Sequence, residues 1–213
     1  MLHSDFTLYL ITDRHQTDGR MLTEMVHRSL DGGVRAVQLR EKDLSAAPLF
    51  RLADELRRLT SDFDARLIIN DRLDIALATG ADGVQIGVGS IPVAVARRLL
   101  GSDKIIAYSA HAIDEARQAG ADGADFVTFG PVYATPSKLA YGSPCGVLKL
   151  AEAAAALEIP VIGLGGITLD NISETFSATV RGVAVISAIL AATDPYIATV
   201  SLLKKIEEHA KHS

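Results

Sequence analysis

The sequence predicts an α/β protein: a parallel (β/α)8 TIM barrel formed as one domain over residues 1–213. Three observations predict it. Short runs rich in Val, Ile and Leu alternate with longer helical patterns along the chain. The pairs recur at a period of about 25 residues, the rhythm of a closed barrel. Several strand runs are continuously apolar rather than alternating, which is how a strand buried on both faces reads.

The expected strands, in order, are Leu8–Thr12, Ala36–Arg40, Arg66–Asn70, Gly83–Ile86, Lys104–Tyr108, Asp125–Phe129, Pro160–Gly163 and Gly182–Ile186. The expected helices are Leu22–Leu30, Ala46–Leu59, Leu73–Ala78, Pro92–Leu100, Ile113–Ala119, Val147–Leu157, Leu169–Phe176 and Pro195–His209. Within Ala46–Leu59, residues Leu49, Leu52, Ala53, Leu56 and Leu59 make one apolar face, while Asp54, Glu55, Arg57 and Arg58 point outward. A doubly wound open sheet is the alternative, but it wants a Gly-rich turn after its first strand. That turn is Thr12-Asp13-Arg14-His15, without glycine. Gly32 and Gly33 end a helix and enter a strand, so they read as C-cap residues.

Composition narrows the function classes. At 213 residues, 48% of them hydrophobic, one domain can bury a large core unaided. The net charge is -5 with no basic cluster, and aromatics are 5% with no Trp, which argues against a nucleic-acid partner. Cys145, the single cysteine, excludes an internal disulfide and a Cys-rich zinc site. The N-terminus lacks a basic n-region and reads as a strand rather than a signal peptide. No apolar run is long enough to cross a bilayer. A cytoplasmic enzyme with small-molecule substrates, no membrane partner and an open possibility of homo-oligomers is the expectation.

In such a barrel the chemistry sits where strands end on the C-terminal face. Strand 2 ends in Gln38-Leu39-Arg40-Glu41-Lys42, and alternation puts Gln38, Arg40 and Lys42 on one side. An amide and two cations there suit phosphate or carboxylate groups. The competing reading is a surface salt-bridge set with Glu41 and Asp43. Strand 3 ends in Asn70-Asp71: Asn70 suits a heterocycle, and Asp71 suits Mg²⁺, a neighbouring lysine, or a helix N-cap. Strand 5 ends in Ser109-Ala110-His111, where a histidine suits an acid and base role or simply opens the next helix. His15, after strand 1, also has the rim within reach. No histidine pair has metal-ligand spacing on a helix.

Strand 6 leads into Gly130–Pro144, the longest loop, rich in Pro, Gly and hydroxyls. Long loops in compact domains often act as lids, and Thr135, Ser137 and Lys138 are placed to close over an anion. Strand 7 ends in Gly163-Leu164-Gly165-Gly166-Ile167, with helix signals from Thr168. Strand 8 ends in Ile186-Ser187-Ala188-Ile189. Backbone N–H groups at Gly-rich turns and helix N-termini bind phosphate, and barrels of this class often build that site after strands 7 and 8.

Together these segments resemble the thiamine phosphate synthase and thiazole tautomerase superfamily, from Leu8-Tyr9-Leu10-Ile11-Thr12-Asp13 to Ser187-Ala188-Ile189. The resemblance rests on Gln38-Leu39-Arg40-Glu41-Lys42, Ile69-Asn70-Asp71-Arg72, Gly130-Pro131-Val132-Tyr133, Gly165-Gly166-Ile167 and Ser187-Ala188-Ile189. It implies that Gln38, Arg40, Lys42, Asn70, Ser109 and Lys138 hold a pyrimidine pyrophosphate. It also implies that Thr135, Ser137, Gly166, Ile186 and Ser187 surround a thiazole phosphate. Arg40, Lys42 and Lys138 are the expected catalytic cations. Two aspartates hold Mg²⁺ in the synthase pattern. Asp71 matches the first, and Ser90 stands where the second is expected. The synthase segment Thr-x-Thr-Lys appears as Thr135-Pro136-Ser137-Lys138.

The tautomerase branch moves a proton without metal. Val84-Gln85-Ile86-Gly87-Val88-Gly89-Ser90 resembles it, but its catalytic histidine falls at position 131, which is Pro131 here, and His111 does not match it. Lys42, Asp71 and Pro131 favour the synthase. The alternatives are the tautomerase, with no cofactor, and a noncatalytic thiazole-phosphate-binding regulatory protein.

Overall fold

The computed structural model describes residues 6–135 and 143–211. Eight parallel strands close into a barrel in sequence order, and the last pairs with the first. They are β1 Leu8–Ile11, β2 Ala36–Leu39, β3 Arg66–Asn70, β4 Gly83–Gly87, β5 Ile105–Ala110, β6 Phe126–Phe129, β7 Val161–Leu164 and β8 Gly182–Val185. The helices are α1 Leu22–Asp31, α2 Ala46–Asp62, α3 Leu73–Thr79, α4 Val93–Leu100, α5 Ile113–Ala121, α6 Gly146–Ala156, α7 Ile172–Phe176, α8 Ser187–Leu190 and α9 Pro195–Ala210. The closed barrel replaces the open-sheet alternative, and all eight expected strands lie where the sequence puts them within a residue or two. As expected, Gly32 caps α1 and Gly33 leaves it at φ 111°.

The strand periodicity of two sorts side chains into two cores. Inside the barrel pack Phe6, Tyr9, Ile11, Ala36, Ile68, Ala107, Phe126, Ile162 and Ala184. The alternate residues Leu8, Leu10, Val37, Leu67, Ile69, Val84, Ile106, Val183 and Val185 face the helices. Both faces are buried, which is why the strands read as unbroken apolar runs. Phe126 meets Phe6 and Tyr9 edge to face, with ring centroids 5.6 and 5.9 Å away.

Besides α2, which runs on to Asp62 where Leu59 is the expected end, two elements differ from the sequence reading. The run Gly182–Ile186 and its continuation to Ile189 do not stay extended. Ile186 turns to φ -121° and ψ -84°, its carbonyl accepts from Ile189 and Leu190 N–H, and Ser187–Leu190 coils into α8. The helix expected from Leu169 starts only at Ile172. The Asn171 amide explains this, accepting from Thr168 N–H at 2.8 Å and donating to the Gly166 carbonyl at 2.9 Å, which holds a turn there. No helix among the described residues is long and apolar enough to cross a membrane.

Candidate active site

The inward-facing positions change character toward the C-terminal ends of the strands. Register sets Gln38 of β2 beside Ile11 and Ile68, Asn70 of β3 beside Gln85 of β4, and Ser109 of β5 beside Thr128 of β6. A polar layer therefore lies on top of the apolar interior. Gln38 is buried and donates from Nε2 to Tyr9 Oη at 3.0 Å and to Gln85 Oε1 at 3.2 Å. Gln85, also buried, donates to Ser109 Oγ at 3.0 Å and Thr128 Oγ1 at 3.3 Å. Burial pushes the Tyr9 phenol far above its usual range, so it remains a hydroxyl.

Next to this layer lies the Asn70–Asp71 corner. Asp71 adopts φ 60°, the left-handed region that Asp tolerates better than most residues. The helix N-cap reading of Asp71 is corrected here: Arg72 takes the cap position of α3, with no side-chain cap bond. The Asp71 carboxylate instead faces the rim, accepting from Asn70 Nδ2 at 2.8 Å and from the Ser90 hydroxyl. Ser90 Oγ in turn accepts from Gly87 N–H at 2.8 Å. The residue that stands for the expected second aspartate thus touches the first.

The charged run after β2 divides in two. Glu41 is buried, and accepts from Thr12 Oγ1 at 2.7 Å and from Arg14 Nη1 at 3.1 Å. Arg14 also pairs with Asp43, so the salt-bridge partner of these two carboxylates is Arg14, not Arg40 or Lys42 as the surface reading had it. Arg14 holds the Asp43 carboxyl well below the usual carboxylate range, and His15 assists from 3.1 Å. Half-buried Arg40 and exposed Lys42 have no ion-pair partner among the described residues. Two cations without an ion-pair partner are the kind of groups that suit a phosphate or carboxylate.

On the opposite side of the rim, Gly165 and Gly166 turn at φ 104° and 69°. The loop after β6 is stitched to them: Val132 N–H donates to the Leu164 carbonyl at 2.9 Å and Tyr133 N–H to that of Gly165 at 3.0 Å. A Cβ on Gly166 would stand 2.7 Å from Tyr133 Cβ. Ile186 is half-buried and Ser187 exposed at the start of α8. Thr135 is half-buried, while Ser137 and Lys138 lie outside the described residues. His111 is exposed, and its Nδ1 lies 2.6 Å from the Gly130 carbonyl.

The structure brings Gln38, Asn70 and Ser109 of β2, β3 and β5 to one end of the barrel, with Asp71 and Ser90 in the turns after β3 and β4. Sequence reasoning missed Tyr9, Thr128, Arg14 and Asn171, and met Gln85 only as part of a segment likeness. A signal for Gln85 was present: a lone amide in the apolar run Val84-Gln85-Ile86 has to be paired inside.

A closed parallel barrel whose polar groups gather at the strand C-termini is the architecture of a TIM-barrel enzyme, with its active site at that face. The family described as thiamine monophosphate synthase matches residues 8–189, and the chain belongs to it. A relative from Geobacter sulfurreducens is 58% identical over 195 residues, covering 92% of each chain. A thiamine-phosphate synthase of Moorella thermoacetica is 48% identical over 187 residues, covering 88% of this chain and 89% of that one. The solved structure of a thiamine phosphate pyrophosphorylase from Pyrococcus furiosus superposes with a TM-score of 0.90 at 36% identity, over 98% of this chain and 99% of that one. These matches favour the synthase over the tautomerase and over a noncatalytic protein.

Proposed function

We propose that the barrel couples a hydroxymethylpyrimidine pyrophosphate to a thiazole phosphate and releases pyrophosphate. The observation that carries this reading is the pair of uncommitted cations, Arg40 and Lys42, after the strand that supplies Gln38. The pyrimidine ring would lie on Gln38 and Asn70, with its pyrophosphate toward Arg40, Lys42, Ser109 and Lys138. Backbone N–H groups at Gly166 and Ser187 would hold the thiazole phosphate, with Thr135, Ser137 and Ile186 around it. A bond forms from the thiazole nitrogen to the pyrimidine methylene carbon as the carbon–oxygen bond to pyrophosphate breaks. The electron pair leaves with pyrophosphate, and no proton has to be removed. Catalysis then rests on aligning the two rings and sharing the leaving group's charge.

The Asp71 corner suits Mg²⁺. Its carboxylate is at the rim, held by neutral donors, with the Ser90 hydroxyl in contact. Among the described residues no three His, Cys, Asp or Glu side chains cluster as a metal cage. Mg²⁺ commonly binds through one or two carboxylates and substrate phosphates. When bound, it would neutralise charge on the departing pyrophosphate.

The test supplies both phosphorylated substrates with Mg²⁺ and follows thiamine phosphate and pyrophosphate. Both should form in equal amounts. Metal-independent tautomerisation of the thiazole carboxylate phosphate without coupling would overturn the proposal. So would tight binding of thiazole phosphate with neither reaction.

A further inference from the structure

We propose that Asn171 is a positioning residue for the phosphate-bearing substrate: its side-chain amide holds the Gly166–Ile167 peptide so that the N–H of Ile167, beside that of Gly166, is turned to the phosphate. The inference rests on the reading of Gly166 as a ligand of thiazole phosphate, and it names the residue that gives that turn its shape.

Three carbonyls in succession are held by the protein at the end of β7. Leu164 accepts from Val132 N–H at 2.9 Å, Gly165 from Tyr133 N–H at 3.0 Å and Gly166 from Asn171 Nδ2 at 2.9 Å. In a trans peptide the C=O and the following N–H point opposite ways. Fixing the Gly165 and Gly166 carbonyls therefore turns the N–H groups of Gly166 and Ile167 away from Tyr133 and Asn171. Neither N–H has a hydrogen-bond partner among the described residues, although Ile167 is buried and Gly166 half-buried. Backbone donors in such a place call for an acceptor, and adjacent N–H groups in a turn suit an anion. The next N–H, that of Thr168, is closed off by Asn171 Oδ1 at 2.8 Å.

Two features set Asn171 apart from an ordinary helix-capping residue. It occupies the N-cap position of α7, where an Asn side chain usually accepts from the first N–H groups of the helix. Here it makes no cap bond and reaches back into the turn instead. Its orientation is also fixed. One partner is a backbone N–H and the other a backbone C=O, so turning the amide over would set donor against donor and acceptor against acceptor. The turn needs such a hold. Gly165 and Gly166 sit at φ 104° and 69°, and glycine has several other conformations open to it. Without the clasp the Gly166–Ile167 peptide can rotate, and the N–H of Ile167 leaves the phosphate.

The experiment measures, by calorimetry, binding of thiazole phosphate, its unphosphorylated alcohol and the pyrimidine pyrophosphate. The wild type should prefer thiazole phosphate to the alcohol. Asn171→Ala should weaken thiazole phosphate about tenfold, with the other two ligands held within about twofold. Asn171→Asp should do no better than Asn171→Ala, because it keeps the acceptor for Thr168 but sets an oxygen against the Gly166 carbonyl. A capping role predicts the reverse, since Asp caps a helix as well as Asn does. Circular dichroism checks that each variant folds. An NMR titration of the wild type needs no variant: the amide signals of Gly166 and Ile167 should move more with thiazole phosphate than with the alcohol. An Ile167 signal indifferent to the phosphate would overturn the inference, and so would an equal loss of all three ligands in Asn171→Ala. Loss in Asn171→Asp alone would be charge repulsion and would overturn it too. Wild-type selectivity kept in Asn171→Ala would leave Gly166 as a ligand and remove only Asn171. A wild type that binds phosphate and alcohol equally, or neither, would remove both. Selective binding without coupling would sink the proposed reaction and leave the role of Asn171 standing.

Discussion

The hydroxyl of Ser90 donates to a carboxylate oxygen of Asp71, joining the ends of β3 and β4 across the rim. A serine at this position supplies a neutral oxygen where a carboxylate would supply charge. Coupling should be abolished by EDTA and by Asp71→Ala, and restored to the chelated wild type by Mg²⁺. The wild type should need a high Mg²⁺ concentration, because one protein carboxylate attracts a hard cation less than two. Ser90→Asp should lower the concentration for half-maximal rate. A Mg²⁺ titration of initial velocity for the two proteins checks this, and identical curves would show that position 90 does not reach the ion.

The backbone at Gly166 separates shape from ligand binding. With φ 69° and Tyr133 Cβ 2.7 Å from where its Cβ would stand, Gly166 tolerates no side chain without strain. Gly166→Ala should lower stability by about 1–3 kcal/mol, and weaken binding of thiazole phosphate because the turn that aims its N–H groups shifts. Gly89→Ala is the matched control. Its Cβ meets nothing within 4 Å and its φ is not in the left-handed region, so stability should hold or rise slightly. Thermal melts with and without thiazole phosphate read both effects.

How much of this was legible in the sequence depends on the range of the interaction. Strands buried on both faces announce themselves locally, so all eight were readable from apolar runs. The rule that chemistry sits at strand ends then found Gln38, Asn70, Asp71 and Ser109 from position alone. Side-chain pairings between neighbouring strand ends were not readable. Nothing local says that Arg14 answers Glu41 and Asp43, since β1 and β2 become neighbours only when the barrel forms. The short α8 escaped because four residues carry no helical period. Asn171 looked like part of a helix start, yet its amide folds back on Gly166 and Thr168 to build the turn.

His111 links the ends of β5 and β6 on one rim. Its Nδ1 and the Gly130 carbonyl are 2.6 Å apart, and its backbone N–H donates to Glu115 at 3.0 Å. The coupling needs no proton removed, so His111→Ala should cost less than the roughly 100-fold typical of a lost general acid or base. His111→Asn, which can still donate to Gly130, should recover most of any loss. The rate should also show no ionisation that vanishes in His111→Ala. A pH profile of kcat for the three proteins decides the matter.

The Arg14–Asp43 pair gives the barrel a stability that acid removes. Arg14 lowers the Asp43 pKa below its unfolded value, with the desolvation of Asp43 opposing and the His15 contact helping. A carboxylate whose folded pKa is depressed contributes stability above its unfolded pKa, about 3.9, and loses that contribution as pH falls toward the folded value. Asp43→Asn should therefore be less stable than the wild type at pH 6, and the difference should shrink steadily below about pH 4. Asp43 is exposed, so the difference should also be small and should fall with added salt. Arg14→Ala should be the more damaging change. It removes a partner of the buried Glu41 as well, and leaves that carboxylate short of a charged donor. Urea denaturation of the three proteins between pH 6 and pH 3 measures both. A constant gap between wild type and Asp43→Asn across that range would show that the pair carries no pH-dependent stability.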